Sequence, residues 1–274
     1  MTELRYDRSE VFDDQPFRAH LASKSAAAMQ DEIVRQTYSL ATDWKQQAGP
    51  DQSGLPYRWS DGLPVQDRWT QSQAVQLMLK RLVDIVLASG ALLFLLPMLL
   101  FVALAIKLTS KGPIFFRQDR VGRNGETFKI FKFRTMFTDR EDASGVKQTK
   151  ANDDRVTPIG QLLRAKSIDE LPQLINVLVG DMSLVGPRPH VAGMLAGGMT
   201  YETLVPYYGL RYRMAPGLTG WAQANGYRGP TDDPVLAFAR IDHDLAYIQN
   251  FSLGLDIKII VMTAWVELTR GTGV

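Results

Sequence analysis

An uncharged segment, residues 85–106, constrains the fold of this chain more than any other feature. As a straight helix it would measure about 33 Å at about 1.5 Å per residue, and the hydrocarbon core of a bilayer is about 30 Å thick. Length and composition therefore predict a helix that enters a membrane. Pro97 lies near the middle and removes the hydrogen bond to the Leu93 carbonyl, so the helix is expected to bend or break there.

The charges around this segment leave two topologies open. Basic residues flank both ends: Lys80 and Arg81 before it, Lys107 and Lys111 after it. Asp84, at the entry, is expected to pair with Arg81 or a later basic residue. A spanning helix usually has its positive charge at one end, although a proline-kinked span remains compatible with the length. A re-entrant helix that breaks at Leu96-Pro97 and returns to the same leaflet explains both the proline and the charge symmetry. We predict the re-entrant form.

The segment divides the chain into three parts. Residues 1–75 form a polar arm without a signal peptide, in which residues 16–47 predict one amphipathic helix and the rest is partly disordered. Residues 76–110 carry the membrane helix, and residues 111–274 form a soluble domain. The arm shows no catalytic pattern, which favours a partner contact or a homodimer contact.

Composition limits the chemistry. The chain has no cysteine, which excludes disulfides and thiolate metal sites. From Lys107 to Arg134 it carries eight Lys or Arg residues and two Asp or Glu residues. This block follows the apolar segment directly. It is either a solvated surface or a site that attracts anionic lipid or a nucleotide diphosphate.

Local signals predict a helix-rich α+β fold with a small antiparallel sheet. Asn124-Gly125 lies between two apolar runs and predicts a β-hairpin. Thr157-Pro158 is typical of a helix start. Later helices are expected over residues 233–249 and 255–268, and the second has the composition of an amphipathic helix packed on the domain or lying in the membrane interface.

Two acidic clusters could carry chemistry. Ser167 and Glu170 match a capping box, which would place Asp169 in the first turn of a helix running to about Val179, where it stays ionised. From these residues alone an ordinary cap with a solvated acidic turn is the preferred explanation, and Pro172 leaves open that Asp169 itself is the cap. Asp242-His243-Asp244 matches the D-x-D pattern, but at helical spacing its two carboxylates point apart, and we interpret it as a solvated face.

Several longer motifs occur together in a fixed order. They are residues 115–118, residues 129–136, the run Leu163-Arg164-Ala165-Lys166-Ser167-Ile168-Asp169-Glu170-Leu171-Pro172-Gln173, residues 180–190 with Gly186-Pro187-Arg188-Pro189-His190, and residues 216–223. From about Lys80 onward the chain resembles the bacterial sugar transferases, the monotopic phosphoglycosyl transferases. That family is known for a re-entrant membrane helix, and this resemblance is the main ground for predicting the re-entrant form here. The resemblance does not cover the arm.

The resemblance implies roles for individual residues. Asp169 would be the nucleophile on the β-phosphorus of a UDP-sugar, forming an aspartyl-phosphosugar, and Glu170, with Asp169, would hold Mg²⁺. Arg164 and Arg188 would clamp phosphate. Further substrate contacts are expected from Lys132, Arg134, Gln223 and Arg228.

The resemblance also implies substrates and a location. A hexose-1-phosphate, glucose first and galactose second, would pass from the UDP-sugar to undecaprenyl phosphate at the cytoplasmic face of a bacterial inner membrane, as the first membrane step of exopolysaccharide or capsule synthesis. Membrane lipid is an expected partner and nucleic acid is not. The alternative is an inactive membrane-anchored scaffold of a polysaccharide assembly complex.

Overall fold

A computed structural model of the protein describes residues 59–60, 63–64, 69–139, 153–229 and 232–270. The helix predicted over residues 16–47 lies outside these residues. The helices are α1 (Gln71–Thr109), α2 (Pro158–Ala165), α3 (Gln173–Val179), α4 (Tyr201–Leu204), α5 (Trp221–Ala224), α6 (Pro234–Gln249) and α7 (Leu253–Arg270). The strands are β1 (Trp59–Ser60), β2 (Leu63–Pro64), β3 (Phe115–Val121), β4 (Thr127–Phe133), β5 (Ser183–Val185), β6 (Leu195–Ala196), β7 (Met199–Thr200) and β8 (Gly217–Thr219). The fold is helix-rich with short two-stranded sheets, as predicted.

The predicted membrane segment lies within α1, a helix of 39 residues. The helix begins five residues before the predicted boundary, where Thr70 and Gln73 form a capping box. Pro97 lies inside the helix, so the predicted break at Leu96-Pro97 does not interrupt it. A proline removes a single backbone hydrogen bond, and a long helix tolerates that loss as a kink.

α1 is apolar and largely uncovered. Among the described residues it is the one helix long and apolar enough to cross a membrane. Its central side chains face away from the protein: Leu93 is 73% exposed, Phe94 is 84% exposed and Phe101 is 72% exposed. Such a face is stable against lipid rather than water.

The N-terminal half of α1 is fixed to the soluble domain by charged side chains. Lys80 forms a buried ion pair of 2.6 Å with Asp256 at the start of α7. Arg81 donates to the last carbonyls of α3, including that of Leu178 at 2.8 Å. Asp84 accepts from the backbone N–H of Leu184 at 3.0 Å, so the pairing with Arg81 or a later basic residue that its sequence position suggests is wrong.

The C-terminal half of α1 also packs against the soluble domain. Ile106 is fully buried and belongs to a cluster with Phe133 on β4 and Leu163 on α2. Arg134, which follows β4, donates to the carbonyls of Ser110 and Lys111 at 2.9 Å each. These bonds satisfy backbone groups at the end of α1.

The predicted hairpin is confirmed. β3 and β4 pair antiparallel from Phe115↔Phe133 to Val121↔Thr127. Asn124 adopts φ 58° and Gly125 φ 81°, the left-handed conformation that these residues accept most readily. On the other side of β4, the Asn176 amide of α3 bonds the backbone of Lys129 and Phe131. The hairpin and α3 therefore form one rigid unit.

A parallel pair, β5 with β8, was not predicted. It joins Ser183↔Gly217 and Val185↔Thr219 and brings two of the sequence motifs together. A Cβ on Gly217 would lie 2.1 Å from the Gly186 nitrogen, so the approach requires glycine at residue 217. This contact fixes the chain just before Arg188.

The late helices confirm the predicted positions but not the predicted environment of the D-x-D cluster. Asp242, His243 and Asp244 are all buried in α6, so the solvated-face interpretation is wrong. Asp244 pairs with Arg211 at 2.7 Å, and Asp242 accepts from the Tyr207 hydroxyl at 2.9 Å. Helical periodicity cannot reveal this, because α6 is covered on several sides.

Candidate active site

A cavity of about 950 Å³ lies between α1, the hairpin, α3 and α7. One wall is apolar and includes Leu87, Ala91 and Leu95 of α1 and Ile260 of α7. The described residues that line the rest include three acids, Asp169, Glu170 and Glu267, and nine cations, Arg120, Lys132, Arg134, Arg155, Arg164, Lys166, Arg188, Arg228 and Arg240. This excess of positive charge suits an anionic ligand with an apolar part.

The two adjacent acids lie in a single 3₁₀ turn, Ile168–Glu170, rather than in an α-helix. The predicted capping box is wrong: Ser167 adopts φ 53° and makes no capping hydrogen bond. α3 begins at Gln173, after Pro172, because proline occupies a helix start well and its interior badly. The turn presents Asp169 to the cavity and directs Glu170 toward the hairpin and Arg188.

Glu170 is fully engaged by two cations. Its Oε1 accepts from Lys132 at 2.7 Å and from Arg188 at 2.6 Å, and its Oε2 accepts from Arg188 at 3.2 Å. Burial alone would raise the pKa of Glu170, but the charges of Arg188 and Lys132 together hold it well below the usual value. Glu170 therefore stays ionised and anchors both cations beside the cavity.

Asp169 is buried yet not bonded. The residue is 8% exposed, and no hydrogen bond joins its carboxylate to any residue the structure describes. Burial raises the pKa of Asp169, against the opposing charges of Lys132, Arg164 and Arg188. This direction differs from the expectation that a helix start would favour the ionised form. A carboxylate without hydrogen-bond donors retains its lone pairs for attack.

The structure brings the predicted phosphate-binding residues to one cavity. Arg164 on α2 lies within hydrogen-bonding distance of the Thr135 hydroxyl at 3.5 Å and lines the same wall as Lys132 and Arg188. Arg134 also lines the cavity, but both of its terminal nitrogens donate to the end of α1. Its position therefore differs from that of a free phosphate clamp.

The other two predicted substrate contacts lie on α5 and just after it. Gln223 lines the cavity, and its buried Oε1 has no hydrogen-bond partner in the described part of the chain. Arg228 donates to Glu267 of α7 and to the Gln223 carbonyl. Both residues line the cavity, and their contact with a substrate stays a prediction.

Sequence reasoning did not name several polar residues of this cavity as site residues, among them Arg120, His190 and Arg240. Arg120 belongs to the basic block, and His190 ends the Pro-Arg-Pro run, so both carried a partial signal. Arg240 lies on α6, about 50 residues from the nearest predicted phosphate clamp, and nothing local marks it. Tertiary packing alone brings it to the site.

Comparison with known proteins defines the class. The family model described as bacterial sugar transferase matches residues 75–270. The chain belongs to this family. The match covers the whole of the cavity and leaves out nearly all of the polar arm.

The similar proteins fall within exopolysaccharide and undecaprenyl-phosphate chemistry. The chain is 57% identical over 199 residues to the exopolysaccharide production protein PSS of Rhizobium leguminosarum bv. phaseoli, with 73% of this chain and all of the relative covered. It is 47% identical over 206 residues to the UDP-glucose:undecaprenyl-phosphate glucose-1-phosphate transferase of Escherichia coli K12, covering 75% of this chain and 44% of the relative. A Caulobacter vibrioides protein of the same name is 52% identical over 184 residues, covering 67% of each chain. The chain thus spans less than half of the Escherichia coli relative.

Proposed function

We propose that the protein transfers a hexose-1-phosphate from a UDP-sugar to undecaprenyl phosphate, and that Asp169 forms an aspartyl-phosphosugar on the way. The observation that carries the proposal is the contrast between two adjacent acids. Glu170 is bonded to Lys132 and Arg188, whereas Asp169 is open to a cationic cavity. One acid thus holds the phosphate-binding charges, and the other can attack.

The proposed transfer takes place in two displacement steps at the same phosphorus atom. In the first, an Asp169 oxygen attacks the β-phosphorus, the bond from this phosphorus to the bridging oxygen breaks, and UMP leaves with that oxygen. In the second, a phosphate oxygen of undecaprenyl phosphate attacks the same phosphorus and releases the Asp169 carboxylate. Lys132, Arg164 and Arg188 offset the charge on the transferred group in both steps.

Glucose is the first candidate sugar and galactose the second. The names of the Escherichia coli and Caulobacter vibrioides relatives support glucose. A relative from Aeromonas hydrophila named for N-acetylgalactosamine transfer is 42% identical, so the family accommodates other sugars. Release of UMP by membrane fractions from a panel of radiolabelled UDP-sugars tests both the activity and the sugar. No release from any UDP-sugar would favour the scaffold alternative.

Mg²⁺ is the proposed cofactor, and one of the two adjacent acids has a carboxylate open to bind it. Among the described residues no group of three or more acids and histidines could hold a metal. Mg²⁺ often uses only one or two carboxylates together with substrate phosphates. The open Asp169 carboxylate suits that role, whereas both Glu170 oxygens are already bonded to cations. When bound, the ion would offset the charge of the diphosphate.

The raised pKa of Asp169 predicts how the reaction rate falls at acidic pH. Only the ionised carboxylate attacks, so UMP release should fall as the pH drops through this pKa, which lies above that of an ordinary aspartate. The rate of UMP release from UDP-glucose, measured in single turnovers between about pH 4 and 8, checks this. A rate that stays flat down to the ordinary aspartate pKa would contradict it.

We further propose that α1 is re-entrant and that the domain lies on the cytosolic face of a bacterial inner membrane, where UDP-sugars are available. Residues 80 and 110 would be about 45 Å apart on a straight helix, yet both are bonded to one domain. The two ends of a spanning helix would lie on opposite sides of the bilayer. In addition, Ala88 packs in a cluster with Ile130 and Ile106 in a cluster with Phe133, two β4 residues only about 10 Å apart. A bend at Pro97 would bring both halves of α1 to this strand, and these contacts support the re-entrant form.

α7 extends the proposed membrane surface. Ile257 and Val261 are each 61% exposed and Trp265 is 68% exposed, at positions i, i+4 and i+8 of one helical face. The Lys80–Asp256 ion pair fixes this helix beside the start of α1. The stripe fits an interfacial helix with a tryptophan at headgroup level.

Cysteine labelling tests the topology, because the native chain has no cysteine. Ser72→Cys and Lys111→Cys lie at exposed positions at the two ends of α1. We expect an impermeant thiol reagent applied to spheroplasts to label neither. Pro97→Leu should straighten α1 and expose residue 72 to the reagent while lowering activity. Labelling of Ser72→Cys alone in the otherwise native protein would contradict the re-entrant form.

A further inference from the structure

Three polar residues of the cavity have no part in the chemistry at Asp169. Arg120, His190 and Arg240 line the same cavity as Arg188, and Arg120 donates to the carbonyl of Pro189, the residue before His190, at 3.3 Å. His190 is 3% exposed and Arg240 is 6% exposed. Each of the three has a buried side-chain nitrogen without a hydrogen-bond partner in the described residues: Arg120 Nε, His190 Nε2 and Arg240 Nε. Leaving such groups unbonded costs stability, which points to a ligand.

No residue that the structure describes forms an ion pair with Arg120 or Arg240. The nearby acids are committed elsewhere, Asp244 to Arg211 and Glu170 to Lys132 and Arg188. Burial and the neighbouring Arg188 lower the pKa of Arg120 to about 10, and burial lowers that of Arg240. An anion placed here would relieve this repulsion.

The hydrogen bonds around His190 make its free nitrogen a donor. The Tyr208 hydroxyl accepts from Arg211 at 3.1 Å and lies 2.9 Å from His190 Nδ1. Arg211 can only donate, so His190 Nδ1 is the one acceptor for the Tyr208 proton among its hydrogen-bond partners in the described residues. Tyr208 therefore donates to Nδ1. Burial, and then the charge of Arg211, lowers the pKa of His190, so the ring is neutral and its proton is on Nε2.

We propose that Arg120, His190 and Arg240 form a second anion subsite, which binds a phosphate monoester beside the phosphate being transferred. All three free atoms are N–H donors, which match phosphate oxygens. The inference rests on the proposed function, in which two phosphate monoesters occupy the cavity in turn. They are the released UMP and the incoming lipid phosphate. The subsite would hold one of them, or each in succession, while the sugar phosphate is on Asp169.

The test is direct binding, which requires no turnover. UMP and farnesyl phosphate are titrated by calorimetry into the full chain in nanodiscs. His190→Phe keeps the ring stacking on Tyr201 and Tyr208 but removes the donor, and Arg240→Gln removes a charge. Each should weaken at least one probe about tenfold or more. His190→Gln, whose amide nitrogen reaches near the Nε2 position, should bind more tightly than His190→Phe.

A matched control separates the subsite from general charge. Arg117 lies three residues from Arg120 on the same strand, is exposed and does not line the cavity, so Arg117→Gln should bind both probes like the native protein. Weakened farnesyl phosphate binding alone assigns the subsite to the acceptor, and weakened UMP binding alone assigns it to the nucleotide. Native affinity for both probes in His190→Phe and Arg240→Gln would overturn the proposal. Should Arg240→Gln not fold, Arg120→Gln on the hairpin gives the same decision.

The titrations, combined with measurements of UMP release, distinguish this inference from the proposed function. If the native protein releases no UMP from UDP-sugars but the variants still lose phosphate binding, the proposed reaction fails and the subsite remains. If the native protein turns over and the variants bind and react normally, the subsite fails alone.

Discussion

Asp169→Asn is expected to lower the rate of UMP release from UDP-glucose by about four orders of magnitude or more, because it removes the attacking charge. The fold should survive, since no described residue forms a hydrogen bond with this carboxylate. The pKa of Asp169 is raised by burial, so the ionised form costs the native state stability at neutral pH. The variant should therefore melt at the same temperature as the native protein or higher.

Single-turnover UMP release and thermal melting of the purified variant check both parts. Asp119→Asn is the matched control, because Asp119 is an exposed hairpin residue paired with Lys129 at 2.9 Å. That variant should retain the native rate. Turnover near the native level in purified Asp169→Asn would remove Asp169 as the nucleophile.

Glu170→Gln is expected to lower both the rate and the stability. Glutamine keeps the shape but leaves Lys132 and Arg188 without their counter-charge, so both cations lose the anchor that positions them. We expect kcat/KM to fall about a hundredfold. Removing one group that stabilises the charge of the transition state has an effect of this size in other enzymes. The free energy of unfolding should fall by about 1–3 kcal/mol, less than for a fully buried pair because Arg188 is partly exposed.

The pH dependence of stability gives a second readout for Glu170. A carboxyl with a lowered folded-state pKa stabilises the fold above its unfolded-state pKa, and this stability is lost as the pH falls through the folded-state value. Denaturant unfolding of Glu170→Gln should therefore lose part of the acid dependence that the native protein shows. The Mg²⁺ concentration for half-maximal rate should stay unchanged. A shifted Mg²⁺ midpoint with an unchanged KM for UDP-glucose would instead make Glu170 the metal ligand.

Local sequence signals predicted the elements that depend on local physics. Asn124-Gly125 specifies its turn through backbone conformation, and Thr157 accepts from the Gly160 N–H at 3.0 Å as a helix cap should. Asp233 likewise caps α6, with Pro234 in its first turn. The motif resemblance placed Asp169, Glu170, Arg164 and Arg188 around one site, and the structure brings all four to the same cavity.

Three of the wrong predictions share one cause, which is that distant parts of the chain compete for the same side chain. Ser167 and Glu170 have the spacing of a capping box, but Lys132 lies 38 residues away and attracts Glu170 more strongly. The local sequence predicts a surface position for Asp244, but in the fold Asp244 forms a buried ion pair with Arg211. Asp84 finds a backbone N–H instead of a neighbouring cation. None of these partners can be recognised from local spacing.

The structure also favours an active enzyme over a scaffold with a decayed site. A decayed site would have no reason to retain a buried carboxylate with a raised pKa beside three cations. A partner contact and a homodimer contact through residues 1–75 both stay predictions.

The covalent intermediate is the most direct test of the reaction at Asp169. The purified protein is incubated with UDP-glucose in the absence of any polyprenyl phosphate, and released UMP and the mass of the peptide containing Asp169 are measured. The account predicts about one UMP per active site, a mass increase of one hexose phosphate on that peptide, and loss of the adduct when undecaprenyl phosphate is added. UMP release that requires undecaprenyl phosphate from the start, with no adduct on Asp169, would contradict it and indicate direct transfer between the two bound substrates.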